Sequence, residues 1–283
     1  MKRKYAVQWQ QAAEVPSDIK GKLRATIRSI YLSVSSAIQK KEDDNFLRCL
    51  FCHYVFDNQR EDFKLLLNEL LSNGEFVNTQ TCIEMLKGKR KIDKRYYHLS
   101  FDDGFRNNFT NALPILKKYN VPAIFFVPSS LIGADWEKTA NYCLNITRYN
   151  AVIKMLKKED LKSIISDGYE IGSHSKTHLR FSVISNNKDM LKDEIIGSKN
   201  ELEDMLNCEC KYISWPYGEK TDVNTESLEI VKQAGYEACF GAYRGTVNPG
   251  STSAFSIPRH HFEVQWPISH TKYFMRGNME VKE

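Results

Sequence analysis

The chain has 283 residues, of which 42% are hydrophobic and 27% charged, and its formal net charge is +5. This composition excludes an intrinsically disordered chain, and the length is sufficient for one large hydrophobic core. No window of the sequence reaches the roughly 18 consecutive apolar residues that a membrane-spanning helix requires.

The first 44 residues are predicted to form a basic amphipathic helical extension, separate from a larger unit at 45–283. Residues 1–42 carry nine Lys or Arg against three acids, so nearly all the excess charge lies there. After a Ser17 N-cap, apolar residues repeat at helical spacing, at Ile19, Leu23, Ile27, Ile30, Tyr31, Val34 and Ile38. We expect this stripe to pack on the rest of the protein. Contact of residues 17–41 with anionic lipid or a partner helix is the second interpretation, ahead of nucleic-acid binding.

Short apolar segments alternate with helical patterns along the rest of the chain. Helices are predicted near 59–72, 79–87, 111–120, 155–168, 187–207 and 224–235. Strands are predicted near 48–56, 96–102, 122–128, 169–173, 211–216, 236–242 and 256–262. This alternation is typical of an α/β fold with a barrel-like sheet.

Two aspartates, Asp102 and Asp103, end the predicted strand at 96–102. The glycine that follows them permits a sharp turn, which can bring both carboxylates to the mouth of the strand. Catalytic groups of α/β folds lie at such turns between a strand and a helix, although a helix-capping Asp-Gly turn is the ordinary alternative. The helix at 111–120 tolerates Pro114 if this residue falls in its first turn.

Two histidines, His174 and His178, follow the predicted strand at 169–173. A separation of four residues brings both imidazoles to one side of a helical turn. Together with one carboxylate they would form the ligand set of an open, catalytic divalent-metal site, and the second carboxylate would then be available as a base. A histidine pair alone is more often structural, but this pair and the aspartates each come just after a predicted strand.

A third segment follows the predicted strand at 211–216, in the sequence Pro216-Tyr217-Gly218. With the Phe-Asp-Asp-Gly and His-Ser-Lys-Thr-His segments before it, the chain resembles the polysaccharide deacetylases with the NodB homology domain, which are carbohydrate esterases of family 4. The likeness runs from about residue 45 to about residue 274. It includes the strands around His53 and around Phe125-Phe126-Val127, and the segment Ser256-Ile257-Pro258-Arg259.

The resemblance implies an irregular (β/α) barrel of about seven strands over 45–283 and a metal-dependent N-deacetylase activity. By position, Asp103, His174 and His178 match the family's metal ligands, and Asp102 matches the base that activates the attacking water. Tyr217 matches the residue whose backbone N–H helps to hold the oxyanion. One divalent ion is expected, with zinc favoured and cobalt or another transition metal as alternatives.

The chain departs from the family pattern at two positions. Many members carry an arginine two residues before the proline of the third motif, where this chain has Ser214. Arg259 is the candidate to supply that guanidinium instead, because arginine pairs bidentately with a carboxylate wherever the fold places it. A fourth family motif that tunes the catalytic acid has no counterpart. For the acid itself we favour His261, which alternation places on the same face as Arg259, over His260 and His270.

The expected substrate is an N-acylated sugar or glycoconjugate. The start Met1-Lys2-Arg3-Lys4 is followed by no continuous apolar run, and the seven cysteines show no framework spacing, so a cytoplasmic location is predicted. That location favours a nucleotide-linked or lipid-linked substrate over a finished polymer. A deformylase or other small-molecule amide hydrolase and an inactive glycan-binding member are the alternatives.

Overall fold

Seven parallel strands form a nearly closed barrel in the computed structural model, which describes residues 4–13, 19–38 and 45–281. The strand order is β7-β6-β5-β4-β3-β1-β8, and the short β2 pairs with β3 outside this path. The strands are Phe46–Cys52 (β1), Glu75–Phe76 (β2), Arg95–Phe101 (β3), Ile124–Val127 (β4), Glu170–Ser173 (β5), Tyr212–Ser214 (β6), Ala238–Phe240 (β7) and Arg259–His261 (β8). The predicted barrel and its seven strands are confirmed.

The barrel closes between β7 and the segment that leads into β8. Phe240 forms a parallel bridge with Ile257, and the Gly241 N–H donates to the carbonyl of Ile257 at 2.8 Å. The Cys239 N–H donates to the carbonyl of Ala254, also at 2.8 Å. Since β8 in turn pairs with β1, the edges of the sheet are covered.

Helices connect most of the successive strands, as a parallel sheet requires, while α1 and α2 precede β1 and α11 follows β8. Within the described residues they are Trp9–Ala12 (α1), Ile19–Ile38 (α2), Arg60–Asn73 (α3), Thr79–Leu86 (α4), Leu113–Tyr119 (α5), Trp136–Asn141 (α6), Lys158–Ser166 (α7), Lys188–Lys192 (α8), Ser198–Leu206 (α9), Thr225–Gln233 (α10) and Ile268–Met275 (α11). A π-helical segment at Asn108–Ala112 leads directly into α5, and another at Asp193–Gly197 interrupts the helix predicted at 187–207. Pro114 lies in the first turn of α5, as expected.

Alternating side chains divide the core into two layers. One buried cluster joins alternate residues of several strands, among them Leu47, Ile124, Phe126 and Phe240, inside the barrel, with α4 packed against it. The other strand face packs under the surrounding helices. On β3 the inner positions alternate through His98 and Ser100 to Asp102, so the sheet itself aims the base candidate inward.

Helix α2 packs on α11, but not through the stripe that the sequence predicts. Ser29 Oγ lies 3.1 Å from His270 Nε2, Ser33 Oγ lies 2.9 Å from Ser269 Oγ, and Leu32 is buried. The apolar residues at positions 23, 27, 30, 31 and 34 are instead 50–61% exposed. The expected packing of this stripe on the protein is therefore wrong, because hydroxyl contacts fix the opposite face. The predicted cap at Ser17 and the side chains of Ile19 and Ile38 lie outside the described residues.

None of the helices in the described part of the chain is long and apolar enough to cross a bilayer.

Candidate active site

A cleft of about 420 Å³ opens at the carboxyl ends of the barrel strands. Its volume suits a small organic ligand. Six of the seven residues predicted for the site line it, namely Asp102, Asp103, His174, His178, Tyr217 and His261. The seventh, Arg259, is fully buried behind Asp102.

Asp102 and Arg259 form a buried bidentate ion pair. The two guanidinium NH₂ groups donate to the two carboxylate oxygens of Asp102 at 2.8 and 2.7 Å, although 157 residues separate the partners. The same guanidinium donates to Ser214 Oγ at 2.6 Å and Ser100 Oγ at 3.0 Å, and its Nε donates to the carbonyl of Gly241 at 2.6 Å. Burial raises the pKa of Asp102, but the charge and hydrogen bonds of Arg259, together with the neighbouring His174 and His53, outweigh this, so the pKa is lowered. The carboxylate is held ionised in one orientation.

Asp103, His174 and His178 converge beside this pair. Asp103 Oδ1 lies 3.6 Å from His174 Nε2 and 3.4 Å from His178 Nε2, and the three ligand atoms lie within 4.8 Å of one another. A tetrahedral ion with ligands at about 2.1 Å would set neighbouring ligand atoms about 3.4 Å apart. One carboxylate and two imidazoles at these separations fit a divalent transition metal.

The surroundings of the three residues also suit metal binding. His174 Nδ1 lies 2.7 Å from the carbonyl of Ser214, an interaction that turns Nε2 toward Asp103. Burial lowers the pKa of His174 to about 4, so its imidazole is neutral near pH 7. Burial raises the pKa of Asp103, but its hydrogen bond with His178 and the neighbouring imidazoles outweigh this, and the pKa is lowered. Deprotonated ligands are the form that a cation binds.

Two tyrosines orient the Asp103 carboxylate. The Tyr142 hydroxyl donates to Oδ1 at 2.8 Å and the Tyr149 hydroxyl to Oδ2 at 3.3 Å. Both come from the long segment between β4 and α7, which folds back over the site through a bridge between Phe105 and Met155. This segment closes one side of the cleft.

The loop that carries the two histidines is held by one buried carboxylate, Glu194. It accepts hydrogen bonds from Ser175 Oγ at 2.7 Å and from the backbone N–H groups of Lys176 and Thr177 at 3.2 and 2.9 Å, and it also accepts one from the Thr177 hydroxyl. The Ser175 hydroxyl in turn accepts the His178 N–H at 3.1 Å. Glu194 therefore acts on the ligand histidine through the backbone of its loop.

Several site residues adopt a left-handed backbone, which is costly for residues other than glycine. The φ angles are 71° at Asp103, 60° at Ser175, 67° at His178 and 63° at Tyr217. At Asp103 this turn follows directly on the extended Asp102, and it brings two successive carboxylates to the same mouth. The strained backbone thus sets the geometry of the ligands.

The family model for polysaccharide deacetylases matches residues 89–239, which include Asp102, Asp103, both ligand histidines and Tyr217. The chain belongs to this family. A poly-β-1,6-N-acetyl-D-glucosamine N-deacetylase of Staphylococcus aureus is 30% identical over 66% of this chain and 63% of that protein, so this chain spans less than two thirds of that relative.

Solved deacetylase structures share the fold. IcaB from Ammonifex degensii superposes with a TM-score of 0.69 at 21% identity, over 83% of this chain and 98% of that one. The Streptococcus pyogenes deacetylase PplD, solved with acetate, superposes with a TM-score of 0.64 at 17% identity, over 83% of this chain and 99% of that one. These similarities show that the chain shares the barrel fold of those structures.

The structure places the three candidate acid histidines in different surroundings. His261 lines the cleft, with Nε2 2.9 Å from Glu263 Oε1. His260 points away, toward the carbonyl of Gly245, and His270 lies against α2. Of these three histidines, the structure brings His261 to the site. Burial lowers the pKa of His261, and Glu263 opposes that effect.

Sequence reasoning did not assign roles to several residues of the cleft. His53 follows β1 at its carboxyl end, and its ring centroid lies 5.1 Å from that of His261. Its position just after a strand could have identified it as a site residue, as the same position does for Asp102 and His174. Tyr142, Tyr149 and Glu194 offered no such signal, because they come from irregular or π-helical segments.

Tyr217 lines the cleft. Among residues 4–13, 19–38 and 45–281, nothing accepts a hydrogen bond from its N–H. The Tyr217 ring lies 5.1 Å from the His178 ring, and the Arg180 guanidinium lies 4.1 Å from its centroid. A backbone N–H without a protein acceptor at the cleft can donate to a bound ligand.

Proposed function

We propose that this protein is a metal-dependent hydrolase that removes an N-acyl group, N-acetyl above all, from an amino sugar in a glycan or glycoconjugate precursor. The observation that carries the proposal is the convergence of a metal-ligand triad with a separate carboxylate held ionised by Arg259. A pure binding protein would not need the second carboxylate. We further propose that residues 45–283 form the catalytic unit and residues 1–44 an extension to it.

Asp103, His174 and His178 would hold the ion, and zinc is the metal that best suits two imidazoles and one carboxylate, with cobalt as the next choice. The bound ion would supply Lewis-acid polarisation of the amide carbonyl and a lowered pKa of water. The seven cysteines are free, six of them buried, which agrees with the cytoplasmic location that we propose.

The protein groups then divide the proton transfers. Asp102 takes a proton from the attacking water, and Arg259 keeps its carboxylate turned toward the cleft. The Tyr217 N–H donates to the oxygen that becomes negative as the carbonyl carbon turns tetrahedral. A protonated His261 gives its proton to the amine nitrogen as the C–N bond breaks. Glu263 stabilises that protonated form, and so supplies the carboxylate that the missing fourth motif would provide.

His53 is a second candidate for the acid because its ring lies beside that of His261 on the cleft wall. Its positive charge would lower the pKa of both Asp102 and Asp103. His53 therefore lies near the two carboxylates, whereas His261 has the carboxylate partner. Comparing His53→Gln with His261→Gln would assign the acid, since the acid variant loses turnover and the high-pH limb of the rate profile.

The proposal is tested with zinc- and cobalt-loaded protein against N-acetyl and N-formyl amino sugars, free, nucleotide-linked, lipid-linked and polymeric. Release of acetate or formate is measured. We expect deacetylation of at least one class, and Asp102→Asn should keep its metal while turnover falls roughly 10²–10⁴-fold. If Asp102 only capped a helix, the variant would lose about 1 kcal/mol of stability with little change in rate. Near-normal turnover of metal-replete Asp102→Asn would refute the assignment.

A further inference from the structure

Helix α2 presents an apolar stripe to solvent. Five large apolar side chains are 50–61% exposed, namely Leu23, Ile27, Ile30, Tyr31 and Val34. At about 100° per residue they fall within an arc of about 100°, the width of the apolar face of an amphipathic helix. The side that packs on α11, with Leu32 and Ser36, lies roughly opposite. The stripe therefore points away from the protein except at its edge, where the Tyr31 ring centroid lies 6.4 Å from that of Tyr273 on α11.

The same helix is strongly basic. Its 20 residues contain no Asp or Glu. Lys20, Lys22, Arg24 and Arg28 are exposed and form no ion pair with a carboxylate of the described residues. On the helical projection Arg24 and Arg28 border one edge of the stripe, Lys20 falls within its arc, and Lys22 lies on the side that packs on α11. An apolar face bordered by basic side chains is complementary to a surface that is apolar below and anionic above.

We propose that α2 binds in the plane of a membrane surface that contains anionic lipid. The apolar stripe would enter the boundary between headgroups and acyl chains, and the basic residues would contact the lipid phosphates. A second copy of the chain is less suited to cover the stripe, because its α2 would bring four further positive charges close to the four basic residues of the first α2. The helix is not apolar enough to span a bilayer, so it lies on the surface.

A chain of contacts through α11 connects α2 to the cleft. Ser29 contacts His270 on α11, and one turn of chain before α11 lies the Trp266 ring, 5.6 Å from the His261 ring. The pKa of Arg244, which lines the cleft, is lowered by burial and by the nearby positive charge of Arg28. Helix α2 thus lies close to the cleft. The binding itself does not depend on the proposed function.

Vesicle flotation tests the proposal with the full chain, using phosphatidylcholine vesicles with and without phosphatidylglycerol. We expect binding to the anionic vesicles that weakens in high salt. Leu23→Glu should lower the partition coefficient roughly tenfold or more, since it places a charge in the stripe. Leu65→Glu is the matched control: Leu65 on α3 is 56% exposed against 58% for Leu23, and its variant should bind like wild type.

Two further measurements distinguish binding of α2 to anionic lipid from association of two copies of the chain through α2. Lys20→Gln with Arg24→Gln should reduce binding to anionic vesicles and flatten its salt dependence. Light scattering on wild type and Leu23→Glu reports whether α2 joins two copies. Equal flotation of Leu23→Glu and Leu65→Glu would overturn the proposal. So would a wild type that ignores vesicles and forms a dimer that Leu23→Glu dissociates.

Discussion

Arg259→Met would leave Asp102 as a buried carboxylate without its cation. Both side chains are at most 3% exposed, and the pair is bidentate. Removing one partner of such a pair costs about 3–5 kcal/mol, which lowers the melting temperature of a 283-residue chain by roughly 5–8 °C. Burial then acts on Asp102 without the opposing charge, so its pKa rises. A base works only when ionised, so the low-pH limb of the rate profile should move to higher pH.

The assay compares thermal unfolding, metal content and the pH dependence of kcat for wild type and variant. We expect metal content to be retained and kcat to fall by roughly 10²-fold or more near neutral pH, as loss of a general base would produce. Arg259→Lys keeps the positive charge but cannot form the bidentate pair with Asp102. Its kcat should therefore lie between those of wild type and Arg259→Met. The exchange Ser214→Arg with Arg259→Ser should recover part of kcat, because the Ser214 hydroxyl already contacts the guanidinium. A folded, metal-replete Arg259→Met with an unmoved low-pH limb would refute this role.

Three other substitutions test separate parts of the site. His178→Ala removes one of three ligands, so elemental analysis should find substoichiometric metal; stoichiometric metal bound with unchanged affinity would contradict the ligand set. Glu263→Gln removes the charge that raises the pKa of His261, so the high-pH limb of kcat should move to lower pH, and a fixed limb would place the acid elsewhere. Glu194→Gln should weaken metal binding by roughly 10–100-fold in competition with a chelator, because four donors of the histidine loop lose their anionic acceptor; unchanged affinity would leave Glu194 a role in folding alone.

Sequence reasoning brought Asp102, Asp103, His174 and His178 to one site because each motif follows a strand, and parallel strands bring their carboxyl ends to one mouth. The contact between Arg259 and Asp102 was also expected, since the serine at position 214 left a specific gap for a guanidinium. Strand positions were predicted to within a few residues, apart from β2, which at two residues is too short to show a period.

Other features depend on long-range tertiary contacts, which local sequence patterns do not predict. Tyr142 and Tyr149 contact Asp103 from 39 and 46 residues further along the chain, beyond α5 and β4, and apolar spacing does not predict such a contact. For α2 the pattern identified the apolar residues but not the packed side. There, hydroxyl groups of Ser29 and Ser33 meet α11 and turn the apolar stripe outward.

The left-handed backbone at Tyr217 indicates that the tyrosine side chain makes contacts that matter in addition to the backbone N–H. Glycine at this position would present the same N–H and avoid a steric cost of about 1–2 kcal/mol. The N–H alone therefore does not account for a tyrosine. Its hydroxyl donates to the carbonyl of Ile146 at 3.3 Å, and its ring lies between His178 and Arg180. The residue ties together loops that leave three consecutive barrel strands, so a change at this position would alter how those loops move as a group.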